Sequence, residues 1–390
     1  MNSLCTDANY LSINKFGEQL CGDHVEIVNG DDHSIVLVLA DGLGSGVKAN
    51  ILSILTSKII STMIANHMSI EDCVTTVAST LPVCEKRGIA YSTFTIIHVL
   101  NNKTAEVIQY DNPQVVLLRN GINCDYDMTE LQIDGKKIFQ STIDLSPGDI
   151  LLAMSDGAVY AGVGKTLNFG WQRNNIIEFL EVVFDKYFSA KTLSTILLEQ
   201  CAQLYDGAPG DDTTIAAIKI RAREQINLLI GPPSKPLELN SMLSHFFTQK
   251  GKHIVCGGTT SSLAADYLGV EMKTNLEYQD PEIPPCSEVK GIDLVTEGVI
   301  TINRVLDYVN NYLQDNSLYL QWSYQKDAAS QIARLLLEEA TDINFYVGRA
   351  INPAHQDPTL PIGFSIKMRL IDELAASLKK IGKQITISYY

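Results

Sequence analysis

The chain has 390 residues, of which 45% are hydrophobic, with 30 basic against 45 acidic residues and a formal charge of −15. That length favours two or more domains with sizeable cores, and the composition is that of an ordinary soluble globular protein. The acidic balance argues against nonspecific nucleic-acid binding and against docking on an anionic membrane.

The excess is uneven. Residues 1–220 carry 14 basic and 26 acidic residues, net −12, whereas 221–390 carry 16 and 19, net −3. A cation-binding site in the first half would add to that excess. No run of apolar residues reaches membrane-spanning length, and Met1–Asp7 lacks the basic start and apolar core of a secretory signal, so a cytoplasmic protein is expected. The eight cysteines and seven histidines are scattered without zinc spacing, which gives little support to histidine-metal chemistry or a His-dependent triad.

In chain order, residues 10–33 read as a strand pair with loops and contain Gly22-Asp23-His24. The apolar run Ile35–Ala40 is long enough for a buried strand. It delivers Asp41 into Gly42-Leu43-Gly44-Ser45-Gly46, after which Ile51, Leu55, Ile59 and Met63 fall at helical spacing over 47–66. A second helix follows over 69–81. Tyr91–Leu100 and Ala105–Tyr110 read as strands joined by Asn101-Asn102-Lys103; Val115–Arg119 turns at Asn120-Gly121, and Lys137–Ile143 is another strand. After the turn Ser146-Pro147-Gly148-Asp149, the run Ile150–Met154 leads into Ser155-Asp156-Gly157. Helices over 173–187 and 190–205 precede Gly210-Asp211-Asp212-Thr213-Thr214, which opens the strand Ile215–Ile220. Strand runs set apart from helix pairs imply an α+β layered domain.

Residues 221–225 form a short polar joint. Beyond it, strands near 227–230, 253–256, 292–295, 343–347 and 384–388 alternate with amphipathic helices over 238–249, 261–268, 300–313, 327–340 and 369–380. That alternation implies a second, α/β domain over 226–390 with a largely parallel sheet. The turns Gly231-Pro232-Pro233-Ser234, Gly257-Gly258-Thr259-Thr260 and Thr296-Glu297-Gly298 each precede a helix. They read either as tight turns with Ser/Thr caps or as an anion-binding edge, with a small anionic ligand near Gly257, Gly258 and Thr259 and a regulatory, sensing role.

Asp41 alone is ambiguous: a carboxylate held at a strand end beside glycines suits a metal or phosphate site, and it equally suits an acidic turn that caps the next helix. Asp23, Asp41, Asp156 and Asp211 each sit in a loop beside a strand. If those ends converge, the carboxylates repel one another and call for a cation, and an all-oxygen set points to Mg²⁺ or Mn²⁺.

The ordered set Gly22-Asp23, Asp41-Gly42-Leu43-Gly44-Ser45-Gly46, Tyr91-Ser92-Thr93, Leu145-Ser146-Pro147-Gly148-Asp149, Ser155-Asp156-Gly157 and Asp211-Asp212-Thr213-Thr214 resembles the PP2C-like (PPM) serine/threonine phosphatases. Within them it is most similar to the bacterial sporulation stage II protein E and stress-response branch, over about residues 8–221. The resemblance implies an αββα sandwich over 1–222, two antiparallel sheets flanked by helices, with two Mn²⁺ or Mg²⁺ ions. It implies that Asp41 bridges both ions, that the Gly42 carbonyl binds one, that Asp156 and Asp211 complete the other, and that Asp23 acts near the second. The implied reaction is hydrolysis of phosphoserine or phosphothreonine by a metal-bridging hydroxide, on a phosphoprotein such as an anti-anti-sigma factor. Lys48, in the first helical turn, is a candidate for attracting phosphate, and equally a solvated helix lysine. Two departures stand out: the first arginine is Arg87, so no N-terminal arginine holds phosphate, and Asn123–Asp127 stands where many relatives carry a Leu-Pro-x-Gly turn. Other readings are a non-catalytic phosphoprotein-binding or scaffold module and a phosphatase of a small phosphorylated metabolite.

Overall fold

The computed structural model describes residues 4–30, 34–80, 92–274, 280–350 and 366–390. It divides into two units, Met1–Ala222 and Arg223–Tyr390.

The first unit begins with β1 (Leu4–Ile13), β2 (Asp23–Asn29), β3 (Ile35–Gly42), α1 (Gly46–Ala65) and α2 (Ile70–Thr80). Next come β4 (Ser92–Leu100), β5 (Thr104–Tyr110), β6 (Val116–Arg119), β7 (Ile122–Cys124), β8 (Thr129–Ile133), β9 (Lys136–Asp144) and β10 (Ile150–Met154). It closes with α3 (Asp156–Val159), α4 (Arg173–Val183), α5 (Ala190–Leu204) and β11 (Thr213–Ala222). The strands form two antiparallel sheets, in the orders β1-β11-β10-β6-β7 and β2-β3-β4-β5-β9-β8.

The period of two along each strand builds the layers. Leu37 and Leu39 of β3 join Ile97 and Val99 of β4, Leu151 of β10 and Ile218 of β11 in one core between the sheets. Val36 and Val38, pointing the other way, pack under Ile60 of α1 and Val74 of α2. On the opposite side, Leu152, Met154 and Ile215 meet Ile176 of α4 and Leu193 and Leu197 of α5. The layer order is therefore helix, sheet, sheet, helix, as the α+β expectation had it. Each fully buried Leu or Ile contributes roughly 1.5–3 kcal/mol.

Some expectations need revision. Residues 10–33 do not form a strand pair: β1 starts at Leu4 and pairs with β11 in one sheet, whereas β2 pairs with β3 in the other. The statement that no apolar run reaches membrane-spanning length also fails for α1. By length and composition this helix passes, but 39% of its apolar window is buried and it packs along β2 and β3. Its buried Ser53, Thr56, Ser57 and Ser61 are small enough to let it lie close, and Ser57 Oγ meets His24 Nδ1 at 2.8 Å. Leu81 of the expected second helix and Tyr91 of the expected strand lie outside the described residues.

The second unit runs β12 (Gln225–Ile230), α6 (Leu239–Phe247), β13 (Lys252–Cys256), α7 (Gly258–Leu268), β14 (Met272–Thr274), β15 (Ser287–Val289) and β16 (Leu294–Thr296). Then follow α8 (Val299–Leu313), α9 (Tyr319–Ser323), α10 (Ala328–Arg334), β17 (Asp342–Val347), α11 (Ile366–Lys380) and β18 (Gln384–Tyr389). Its sheet has the order β14-β15-β16-β13-β12-β17-β18. From β16 to β18 all neighbours are parallel, whereas β14 and β15 form an antiparallel edge. The first strand sits in the middle and the order reverses there, which is the doubly wound pattern. The helix expected over 327–340 is α10 running into a π-helical turn, Leu335–Glu339.

Candidate active site

The β2–β3 register sets Asp23 directly opposite Asp41, and the β3–β4 register sets Asp41 opposite Thr93. β3 is buried on both faces from Ile35 to Ala40, so a one-residue slip would exchange every side chain between two filled cores. That fixes Asp41 at the strand's end. Behind it Gly42 N–H donates to Gly22 O at 3.1 Å, and a Cβ on Gly42 would stand 2.1 Å from Ala49 O in the first turn of α1. Gly44 and Gly46, at φ +98 and +71, make the left-handed turn between strand and helix.

The other sheet supplies the second pair of acids. Ser155 N–H donates to Thr214 O at 3.0 Å, and Thr214 N–H donates to Ser155 Oγ at 2.9 Å, which ties the end of β10 to the start of β11. Asp156 therefore begins α3 beside Asp211 and Asp212. Gly157 is pressed onto this turn, since a Cβ there would lie 2.1 Å from Asp212 O, and Tyr205 Oη donates to its carbonyl at 2.7 Å. Asp212 Oδ1 accepts Lys15 N–H at 2.9 Å, and its Oδ2 would be 2.8 Å from a Cβ on Gly22. The two sheet ends thus meet at Gly22 and Asp212.

Between them lies a cleft of about 530 Å³ lined by Asp41, Gly42, Asp111, Asp156, Asp211 and Lys15. Asp23 is 4% exposed. Burial, reinforced by Asp23, Asp156 and Asp211, pushes the Asp41 carboxyl up to about 9. Asp23 rises to about 7 for the same first reason, with Asp212 and Asp156 adding to it. Asp156 and Asp211 are raised too, mainly by burial; Lys15, whose Nζ is 3.8 Å from Asp211 Oδ1, offsets part of the rise at Asp211.

Among the described residues, both oxygens of Asp23 and Oδ2 of Asp212 are buried without a hydrogen-bond partner. Ser155, whose Oγ accepts Thr214 N–H at 2.9 Å, and Thr214, whose Oγ1 meets Ser12 Oγ at 2.7 Å, lower Asp23 somewhat without offsetting the larger rise from burial. Orphaned carboxylate oxygens of this kind cost several kcal/mol unless a cation or proton joins them. The donor set, oxygen only, fits a hard divalent ion. Among the described residues, however, no three His, Cys, Asp or Glu side chains are already gathered into a ligand cluster. The acids line one cleft without closing on a point.

All five expected site residues, Asp23, Asp41, Gly42, Asp156 and Asp211, fall in this region. Lys15 and Asp111 were not singled out from the sequence. Asp111 follows β5 in a left-handed conformation, φ +56, where Asp111-Asn112-Pro113 reads only as a turn. Lys48 is exposed on α1 and does not line the cleft; Lys15 is the lysine that does.

In the second unit the expected anion site meets an obstacle. Thr260 Oγ1 accepts Gly231 N–H at 3.0 Å, Ser261 and Ser262 hydroxyls donate to Gly257 O and Gly258 O, and Glu297 Oε1 would lie 3.4 Å from a Cβ on Gly258. A carboxylate already stands by the start of α7, where an anion would have to displace it. At the centre of the sheet, a Cβ on Gly348 would lie 2.1 Å from Pro232 O, and Lys367 Nζ donates to Gly348 O and Ala350 O, so the ends of β12 and β17 abut.

Residues 31–221 match the family model described as stage II sporulation protein E (SpoIIE). No curated protein matches by sequence. Among solved structures, the SpoIIE phosphatase domain of Bacillus subtilis in a crystal form without domain swapping is 17% identical, covering 57% of this chain and 95% of that one at a TM-score of 0.45. The RsbU and RsbW domains of a Mycobacterium tuberculosis protein are 15% identical, over 63% and 71%, at 0.47. RsbX in complex with magnesium is 19% identical, over 55% and 95%, at 0.40.

Proposed function

We propose that this chain, whose residues 31–221 match the SpoIIE family model, is a metal-dependent phosphatase acting on phosphoserine and phosphothreonine of a bacterial signalling protein, such as an anti-anti-sigma-type protein. The observation that carries the reading is the meeting of Asp41 from one sheet with Asp156 and Asp211 from the other about a single cleft, with Asp23 buried opposite Asp41 and its carboxylate oxygens unpaired among the described residues.

In this reading Asp41, Asp156 and Asp211, with Asp23 and the Gly42 carbonyl, hold two Mn²⁺ or Mg²⁺ ions. Bound there, the ions would supply an acidified water and neutralise the phosphate oxygens. The chain's own groups prepare that chemistry. Among the cleft-lining side chains only Lys15 is positive, so cations held by the acids would supply the charge a phosphate dianion needs there. Asp41 is fixed by strand register, and Gly42 is wedged against Ala49, so both present oxygens from rigid backbone. Lys15 holds Asp211 by charge and Asp212 through its N–H.

The test is manganese-dependent hydrolysis of p-nitrophenyl phosphate by the full chain, alongside the melting shift that Mn²⁺ produces. Asp41→Asn and Asp156→Asn are expected to reduce turnover to background and to shrink the shift. Undiminished activity in both would refute the assignment. The spread of the acids, not gathered into a cluster, favours one second reading: a phosphoprotein-binding module without turnover. Phosphopeptide binding with no hydrolysis at any metal concentration would select it.

A further inference from the structure

The acid cleft opens onto a second, larger groove of about 850 Å³, with which it shares Thr93, Tyr110, Asp111 and Asp156. Its far side is built differently. Asp134 and Gly135, at φ +51 and +75, form the tight two-residue turn of the β8–β9 hairpin, and that turn delivers Lys136 and Lys137 to the groove. Arg173, at the start of α4, joins them. Its Nε donates to Gln114 O at 3.1 Å and its Nη2 to Val115 O at 3.3 Å, so its charge is held against the β5–β6 loop. Phe139 and Tyr160 also line the groove, 38% and 53% exposed.

We infer that this groove binds the polypeptide segment flanking the phosphorylated residue, and that it selects segments carrying acidic side chains; this rests on the phosphatase reading above. Three observations converge. A phosphate group takes up a small part of the acid cleft, and the larger groove continuous with it leaves room for the remainder of a bigger substrate. Exposed aromatic rings beside it suit apolar side chains of an extended chain better than a small polar metabolite. The lining carries both signs of charge, Asp111 and Asp156 together with Lys136, Lys137 and Arg173. Lys137 faces Glu130 at 3.2 Å with both side chains exposed, a weak pair that an incoming carboxylate can replace, whereas Lys136, 3.7 Å from Asp134, is itself largely buried and adds charge from behind. A substrate whose phosphate sits by the acids, through cations, and whose flanking carboxylates sit by Lys137 and Arg173 satisfies both.

The experiment uses the full chain and two phosphothreonine peptides, identical except for glutamates or alanines beside the phosphoresidue. Turnover is measured with Mn²⁺. Binding is measured by fluorescence anisotropy with the corresponding non-hydrolysable phosphonates. The expectation is a roughly tenfold preference for the glutamate peptide, in KM and in Kd. The double variant Lys136→Glu/Lys137→Glu should cancel or invert it, and Lys137→Glu alone should reduce it. Because the readout is a ratio of two peptides on one protein, loss of folded material does not alter it. Equal binding of both peptides by the wild type, or a preference retained in the double variant, overturns the inference. Hydrolysis of p-nitrophenyl phosphate without peptide preference removes the groove and leaves the phosphatase. Discriminating binding with no hydrolysis of any substrate removes the phosphatase and leaves the groove.

Discussion

Replacing Asp23 by Asn should stabilise the metal-free protein, and increasingly so as the pH rises. Asp23 is buried, its oxygens are unpaired, and its carboxyl has moved from an ordinary 3.8 to about 7. Between those values the folded chain keeps a proton that the unfolded chain has released. Stability therefore falls as the pH rises through that window, by up to about 1.4 kcal/mol per unit. An asparagine does not titrate, and it keeps the size and shape of the carboxyl it replaces. After allowing for its own desolvation, the variant should gain about 2–4 kcal/mol near pH 8 and little below about pH 4. In the melting transition of the N-terminal unit this is a rise of about 5–15 °C. Calorimetric scans in chelator near pH 4 and pH 8 provide the assay, and repeating them with Mn²⁺ gives the complement. The wild type should then gain stability and lose most of its pH dependence, whereas the variant should respond weakly. A variant that melts lower at both pH values, or whose advantage does not grow with pH, would refute the reasoning.

Two further outcomes follow from local geometry. Asp149 is 1% exposed and is held by Arg119, whose Nη2 donates to Oδ2 at 2.7 Å and Nε to Oδ1 at 3.0 Å, and by Ser146 N–H at 2.8 Å. Arg119→Ala leaves that buried carboxylate with Ser146 N–H but without its cation and should cost about 1–3 kcal/mol in urea unfolding, with the activity per folded molecule preserved. Gly42→Ala places a methyl carbon 2.1 Å from Ala49 O, so β3 and α1 must separate. It should destabilise the first unit by about 1–3 kcal/mol in the same assay and weaken the Mn²⁺-induced melting shift even where the protein remains folded.

What the sequence discloses is governed by range. Asp41, Asp156 and Asp211 stand out because each ends or begins an apolar strand next to a turn, and both signals lie within a few residues. Their convergence does not: it depends on Asp23 pairing with Asp41, and on Ser155 bonding to Thr214 from 59 residues away, which only the resemblance to a known family anticipated. Lys15 and Asp111 were missed for the same reason, since a loop lysine and a turn aspartate carry no local mark of the cleft they reach. β7 and β8 are short and only partly buried, so their hydrophobic pattern is faint, and the sequence points β1 to a neighbouring strand because its true partner begins 200 residues later. In the second unit the alternation of strands and helices was legible, whereas Glu297 beside the Gly258 turn was visible only once the strands were folded.

The pairing of β1 with β11 also orders events in time. Leu4 lies opposite Ala222, and β11 is the inserted strand that joins β1 to β10. On the ribosome, the first strand emerges with no hydrogen-bonding neighbour and waits while more than 200 residues are made. β2 and β3 can pair early and β10 can form later, but Asp211 and Asp212 arrive just before the strand that closes the sheet. The mutually repelling carboxylates are therefore brought together at the last step of synthesis of this unit, when the buried cores are ready to hold them. A nascent chain stalled before residue 213 should be a poor metal binder and readily digested by protease, with β1 and β10 both exposed as unpaired edges.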